Sequence, residues 1–215
     1  LQDKQVLISA GPTFEAIDPV RGITNLSSGK MGFALARAAH EAGAQVTLVA
    51  GPVALSTPHG VKRIDVRSAL DMHAAVLSQA PHADVFIATA AVADWRPAQV
   101  ANDKMKKDSS GQMPAIAWQE NPDILAQVAG SERAHSGALY CVGFAAESSD
   151  LLAHAQAKRQ RKGVPLMVGN LGPATFGSDE NALLVIDEQG ASEWPRAGKL
   201  HLARQLVAEI ARRLK

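Results

Sequence analysis

The chain has 215 residues, 47% of them hydrophobic, enough to close a substantial core. Twenty-two Lys and Arg against 21 Asp and Glu leave a formal charge of +1, so no global field draws nucleic acid or an anionic membrane, and any anion site must be local. One cysteine, Cys141, excludes an internal disulfide, and no apolar run reaches the ~18 residues a membrane helix needs, so a soluble, cytoplasmic protein is expected.

Gln5-Val-Leu-Ile-Ser9 is short and apolar, as a buried parallel strand is, and Met31 to Ala42 is rich in helix formers. Between them runs a long polar loop, from Ala10-Gly-Pro-Thr13 to Asn25-Leu-Ser-Ser-Gly-Lys-Met-Gly32. Backbone amides and the positive end of the helix dipole favour phosphate at such a place, so Ser27, Ser28 and Gly29 are expected to bind an anion. The alternative is an ordinary connection, although in doubly wound folds these run only ~2 to 6 residues. Neither familiar phosphate loop fits. A nucleoside-triphosphatase loop requires a nearer first glycine than Gly22 and a hydroxyl where Met31 stands. A dinucleotide site requires an acid at the end of the second strand, but Gln45-Val-Thr-Leu-Val49 runs into Ala50-Gly51-Pro52.

Further along, Lys62 to Val66 reads as a strand, Ser68 to Gln79 as a helix capped by Ser68, and Ala83 to Ala90 as a buried strand. Regularity then breaks, and residues 91–112 are expected to form a mobile flap. Met113 to Gln119 reads as a returning strand. Asn121-Pro122-Asp123 offers an N-cap, a first-position proline and a first-turn acid for a helix to about Ala129. An apolar strand ending at Phe144-Ala-Ala-Glu147 leads to a basic helix with Lys158, Arg159, Arg161 and Lys162, then to a strand at Pro165 to Val168. Asn181 to Asp187 and Ser192 to Trp194 flank Glu188-Gln-Gly190 as a hairpin, and Leu202, Leu206, Ile210 and Leu214 recur at helical spacing in a last helix expected to pack on the sheet. Alternating strands and helices imply an α/β fold: a Rossmann-like three-layer sandwich, mostly parallel, with a late β-hairpin, spanning 1–215 as one domain.

Candidate chemistry is sparse outside the lysines. Seven histidines show no zinc-ligand spacing, no serine-nucleophile elbow is present, and Cys141 lies in an apolar run that suits a buried inert thiol. Lys104, Lys106 and Lys107 fall in the flap, while Lys158 and Lys162 share a helix face at i, i+4; together they could surround a polyphosphate, or remain solvated surface.

Six blocks carry a resemblance: Gly11-Pro-Thr13, Asn25 to Gly32, Ala90-Ala-Val-Ala-Asp94, Lys104-Met-Lys106, Asn121-Pro-Asp123 and Gly143-Phe-Ala-Ala-Glu147. In this order they resemble bacterial phosphopantothenate-cysteine ligase. The resemblance implies CTP- and Mg2+-dependent ligation of 4'-phosphopantothenate with L-cysteine through an acyl-cytidylate in coenzyme A synthesis. It implies that Lys104 stabilises the triphosphate, that Asn25 orients the acyl-cytidylate and that Arg21 holds phosphopantothenate. Ala90, Asp94, Pro122, Asp123, Ile124, Leu125, Phe144, Lys158 and Lys162 would form the CTP pocket; which residues would meet the metal is left open. A homodimer is expected, with the late hairpin as a candidate contact. A chain starting at Leu1 fits a part excised from a fusion with an upstream flavin-dependent decarboxylase, leaving no flavin here. Gly22, Leu26 and Leu171 depart from the resemblance. The competing readings are an NAD(P)-binding oxidoreductase and a non-catalytic nucleotide-binding module.

Overall fold

Along the first strand, β1 (Gln5–Ala10), Val6, Ile8 and Ala10 enter one core and Leu7 another, because successive side chains of a strand point to opposite faces. The structure, a computed structural model, describes residues 1–106, 115–147, 150–171 and 177–214. After β1 the chain forms a small antiparallel ladder of β2 (Phe14–Ala16) and β3 (Gly22–Thr24), then α1 (Lys30–Glu41), β4 (Gln45–Ala50), β5 (Val61–Asp65), α2 (Ala69–Gln79) and β6 (Val85–Ala88). A second small ladder pairs β7 (Trp95–Pro97) with β8 (Trp118–Glu120). Then come α3 (Ile124–Ala129), α4 (Glu132–His135), β9 (Tyr140–Glu147), α5 (Leu151–Lys162), β10 (Leu166–Leu171), β11 (Glu180–Ile186), β12 (Ala191–Gly198) and α6 (Lys199–Arg213).

The main sheet has eight strands in the order β12-β11-β10-β9-β6-β1-β4-β5. The six from β10 to β5 are parallel, and β11 and β12 add the antiparallel hairpin at one edge. On one face α1 and α6 cover the sheet with Phe33, Leu35, Leu202, Leu206 and Ile210. On the other, α2, α3 and α5 supply Met72, Val76, Leu125, Val128 and Ala155. The expected three-layer α/β sandwich is therefore present, with α6 packed on α1 as well as on the hairpin strands.

Helix starts follow local chemistry. Ser68 caps α2 in a reciprocal box: its Oγ accepts from Asp71 N at 3.1 Å, and Asp71 Oδ2 accepts from Ser68 N at 2.9 Å. The buried Glu15 takes a further amide of that end, Ala69 N, at 2.9 Å.

Two sequence expectations shift. The cap of α3 is Asp123, whose Oδ1 accepts from Ala126 N at 2.9 Å, and Asn121 lies before the helix. Asn121 is buried and fully engaged: its Nδ2 donates to Ala93 O at 2.8 Å and its Oδ1 accepts from Arg96 Nη1 at 2.9 Å. The returning strand is confined to β8 because its partner β7 offers only three ladder positions. Of the segment read as a flap, residues 91–106 are described, beginning with an isolated bridge from Ala91 to Pro12 and continuing into β7. Residues 107–112, including Lys107, and the first two residues of the expected strand 113–119 lie outside the described residues.

Gly32 fixes how closely α1 lies on β1. A Cβ there would come within 2.4 Å of Ala10 Cβ and 2.5 Å of Thr89 Oγ1. Gly32→Ala should therefore destabilise, since overpacking costs ~1 to 3 kcal/mol and outweighs the ~1 kcal/mol of helix propensity that alanine adds. Urea unfolding checks this; a stabilised variant would contradict the close packing.

Candidate functional site

Numbered in chain order, the six parallel strands lie across the sheet as 3-2-1-4-5-6, with β1 and β6 as the adjacent pair where the winding reverses. The chain leaves β1 for α1 on one face and leaves β6 for α3 on the other. A crevice opens at the carboxyl ends of such a pair. Here it holds two cavities of about 430 and 380 Å³ that share Ala90, Val92, Asp94, Phe144 and Lys158 as common walls.

The first compartment is built on the start of α1. Gly29 is the N-cap with φ 74°, a left-handed conformation, and no side chain caps the helix. Neither is there an acid in the first turn, so the backbone amides and dipole of Gly29 to Gly32 line the cavity with no counter-charge from the helix itself. Ser27 and Ser28 line it too, and Ser27 Oγ accepts from Gly29 N at 3.4 Å. Sequence reasoning missed two cations here. Lys30 Nζ bonds Asp179 Oδ1 at 2.7 Å and Gly177 O at 2.8 Å, and the buried Lys199 donates to Ser178 O at 2.6 Å. Burial first, then the Lys30 charge, lowers the Lys199 pKa, with Asp179 opposing. Lys30 stood within the recognised block, whereas nothing local in the sequence marks Lys199. The buried Asn170 and Asn181 also face this compartment.

Asn25 sits where the loops from β1 and β6 meet. Its Nδ2 donates to Ala91 O at 2.9 Å. Beneath it the buried Thr13 ties three segments together: Thr13 N donates to Ala91 O at 3.3 Å, Thr13 Oγ1 accepts from Ala93 N at 3.0 Å, and Thr13 O accepts from Thr24 Oγ1 at 2.8 Å.

The second compartment gathers Asp94, Pro122, Asp123, Ile124, Leu125 and Lys162 around the shared wall. Ile124 and Leu125 are buried and give it an apolar side. Lys158 and Lys162 both line it, one helical turn apart on α5. Lys162 forms an ion pair with Asp123; burial lowers its pKa and the Asp94 charge acts in the opposite sense. The locally cationic lining required by a net charge of only +1 is thus present in Lys30, Lys158, Lys162 and Lys199.

Arg21 and Lys104 are not among the residues lining either cavity. Lys104 is exposed. Arg21 is engaged by Asp18, Nη2 to Oδ2 at 2.6 Å and Nε to Oδ2 at 3.0 Å, and also donates to Met105 O at 2.8 Å. These bonds hold the Asp18 carboxyl far below the usual carboxylate range. Gly22 departs from the resemblance for a visible reason: a Cβ there would lie 2.3 Å from the Phe14 ring. Leu26 is exposed.

Among the described residues no three His, Cys, Asp or Glu side chains converge to hold a metal ion, and no helix is long and apolar enough to cross a membrane.

The family described as DNA/pantothenate metabolism flavoprotein C-terminal domain matches residues 1–214. The coenzyme A biosynthesis bifunctional protein CoaBC of Vibrio vulnificus is 46% identical over 98% of this chain and 52% of its own length, and that of Escherichia coli K12 is 46% identical over 99% and 53%. The chain therefore spans about half the length of the curated relatives it matches. A crystal structure of the C-terminal domain of CoaBC superposes with a TM-score of 0.84 at 37% identity, covering 100% of this chain and 97% of that one. A Cab2 mutant in complex with phosphopantothenate-cysteine, 17% identical, shares the fold with a TM-score of 0.82 over 98% of this chain and 86% of that one.

Cys141 lies near the start of β9, where burial pushes its thiol up to about 12. It should resist a thiol reagent at pH 8 in the folded protein and react once the chain is unfolded in urea. Stoichiometric labelling of the folded protein within minutes would contradict this.

Proposed function

The chain belongs to the family of DNA/pantothenate metabolism flavoprotein C-terminal domains, and from that premise we propose that it ligates 4'-phosphopantothenate to L-cysteine with CTP in coenzyme A biosynthesis. The observation that carries this reading is the pair of joined compartments at the β1/β6 switch, one built on the start of α1 and on cations, the other with an apolar wall and two lysines. Two ligands and one reacting centre fit that arrangement. A dinucleotide oxidoreductase fits less well, since β4 ends on Ala50 with no acid for a ribose.

In the first step a carboxylate oxygen of phosphopantothenate attacks the α-phosphorus of CTP, and the bond to pyrophosphate breaks. In the second, the cysteine amine attacks the acyl carbon and loses a proton while the bond to CMP breaks. Activation is needed because a carboxylate would otherwise expel oxide or hydroxide. Charge builds first on the triphosphate and then on the acyl oxygen, so the chain must supply cations and then a hydrogen-bond donor.

Lys104 is assigned to the triphosphate, as a flexible cation on a segment that can close. Lys158, Lys162, Ser27, Ser28 and the Gly29 end of α1 complete the anion cradle, and Ala90, Asp94, the Pro122 to Leu125 turn and Phe144 hold the nucleoside. Asn25, whose amide donates without exchanging a proton, orients the acyl-cytidylate. Arg21, already oriented by Asp18, meets phosphopantothenate. Mg2+ is proposed to enter with the nucleotide, where it would neutralise charge on the triphosphate. No flavin is required.

A homodimer is proposed, with the late hairpin as its contact. In support, a cavity of about 480 Å³ lies along β11 and β12, lined by Leu151, Leu152, Leu183, Trp194 and Pro195. A natural fusion to an upstream flavin-dependent decarboxylase and a cytoplasmic setting are proposed as well; bifunctional relatives about twice as long support the fusion.

Light scattering at assay concentration should give twice the chain mass; a monomer that turns over fully would remove the dimer. Lys104→Gln should cut pyrophosphate release by roughly 100-fold, the scale for losing one preorganised charge contact in a transition state. Asn25→Asp should leave that release intact while amide formation falls by a similar factor. Normal turnover of both variants would refute the site assignment.

A further inference from the structure

Asp18 enters the assignments above only as the partner of Arg21, yet it is the most heavily bonded carboxylate beside the site. Its side chain is fully buried on the turn between β2 and β3. Oδ1 accepts the N–H groups of Val20 and Arg21, each at 2.8 Å, the pattern of an ordinary Asx turn. Oδ2 does more. It accepts both bonds from the Arg21 guanidinium and also the N–H of Met105 at 3.1 Å, 87 residues away in sequence. Arg21 Nη2 closes the ring by donating to Met105 O at 2.8 Å.

The ion pair thus grips both backbone polar groups of one residue, the N–H through the carboxylate and the carbonyl through the guanidinium. That residue adjoins Lys104. A second tie, Ala101 N to Ile17 O at 3.0 Å, joins the same turn to the approach of the segment. Burying a carboxylate is costly unless donors and a counter-charge compensate. The turn by itself needs only Oδ1, so the full negative charge is explained by what Oδ2 holds.

We propose that Asp18 is a positioning residue for the activation step: with Arg21 it latches the Met105 backbone and so sets the place from which Lys104 reaches the triphosphate. The inference rests on the reading of Lys104 given above. The latch joins the loop assigned to phosphopantothenate to the segment assigned to CTP, so one buried carboxylate keeps the two binding elements in register.

Asp18→Asn preserves size and the turn acceptor but removes the charge and sets an amide or a neutral oxygen against three donors. Hydrogen–deuterium exchange over residues 103–106 should quicken about 10-fold, and kcat for pyrophosphate release should fall about 10-fold, on the scale of losing hydrogen bonds to a charged group. KM for CTP should change much less than kcat. In a Lys104→Gln background the Asp18 change should add almost nothing, because both losses run through one group. Met105→Pro removes the same N–H from an outer segment and should reproduce the loss of kcat without touching the carboxylate.

Unchanged exchange at 103–106 in Asp18→Asn overturns the latch, as does a folded, fully active Met105→Pro. Losses from Asp18→Asn and Lys104→Gln that multiply overturn the route through Lys104. Full activity of Lys104→Gln alone would instead refute the assignment of Lys104 and with it the catalytic use of the latch, while the exchange result still decides whether the latch exists.

Discussion

The site depends on the reversal of winding between β1 and β6, two neighbouring parallel strands whose connections leave for opposite faces of the sheet. Helix packing cannot fill the space above them, so the crevice is a product of topology. What keeps it from being a loose gap is the buried Thr13, which joins the β1 loop, the β2/β3 ladder and the β6 loop through three hydrogen bonds. Asn25 is pinned to the same carbonyl as Thr13, that of Ala91. A ligand group beside Asn25 would therefore meet an amide held by the Ala91 carbonyl, the kind of preorganisation that a hydrogen-bond donor needs to act on developing charge.

Charge is handled locally throughout. The protein is close to neutral, yet four lysines converge on the two compartments. Two carry their own carboxylates: Asp179 for Lys30 and Asp123 for Lys162. Such pairs keep cations folded into the site before an anion arrives and give them an exchangeable partner afterwards. Asp18 serves Arg21 in the same way, but from a fully buried position and with a backbone residue held between them. The pairing also explains why neighbouring cations remain compatible, since Lys30 and Lys199 would otherwise oppose each other across the rim.

Much of this was legible in the sequence because period and composition report burial. The short apolar run Gln5–Ala10 and the buried run around Val85–Ala88 each identify a strand, and the four-residue spacing of Leu202, Leu206 and Ile210 identifies a helix and its inward face. The loop before α1 announced itself by length and by Gly29. Less was legible where a role depends on a distant partner. Asn121 looks like a cap and is instead a buried bridge between Ala93 and Arg96. Lys199 reads as the first residue of an amphipathic helix, and only the fold brings it to the cavity. Asp18, in Ile17-Asp18-Pro19, carries the local mark of a turn, while its bond to Met105 spans 87 residues and has no sequence signature. Strands of three residues, such as β2, β3, β7 and β8, are too short for any period to show.

The central claim is that this crevice activates a carboxylate with a nucleotide and then hands the acyl group to an amine. Mass spectrometry of a reaction containing the protein, phosphopantothenate, Mg2+ and either CTP or ATP, with cysteine withheld and then added, tests it most directly. An acyl-cytidylate should form with CTP, together with pyrophosphate, and be consumed as phosphopantothenoylcysteine and CMP appear. Folded protein that binds CTP yet yields no acyl-nucleotide, pyrophosphate or amide with either nucleotide would contradict it.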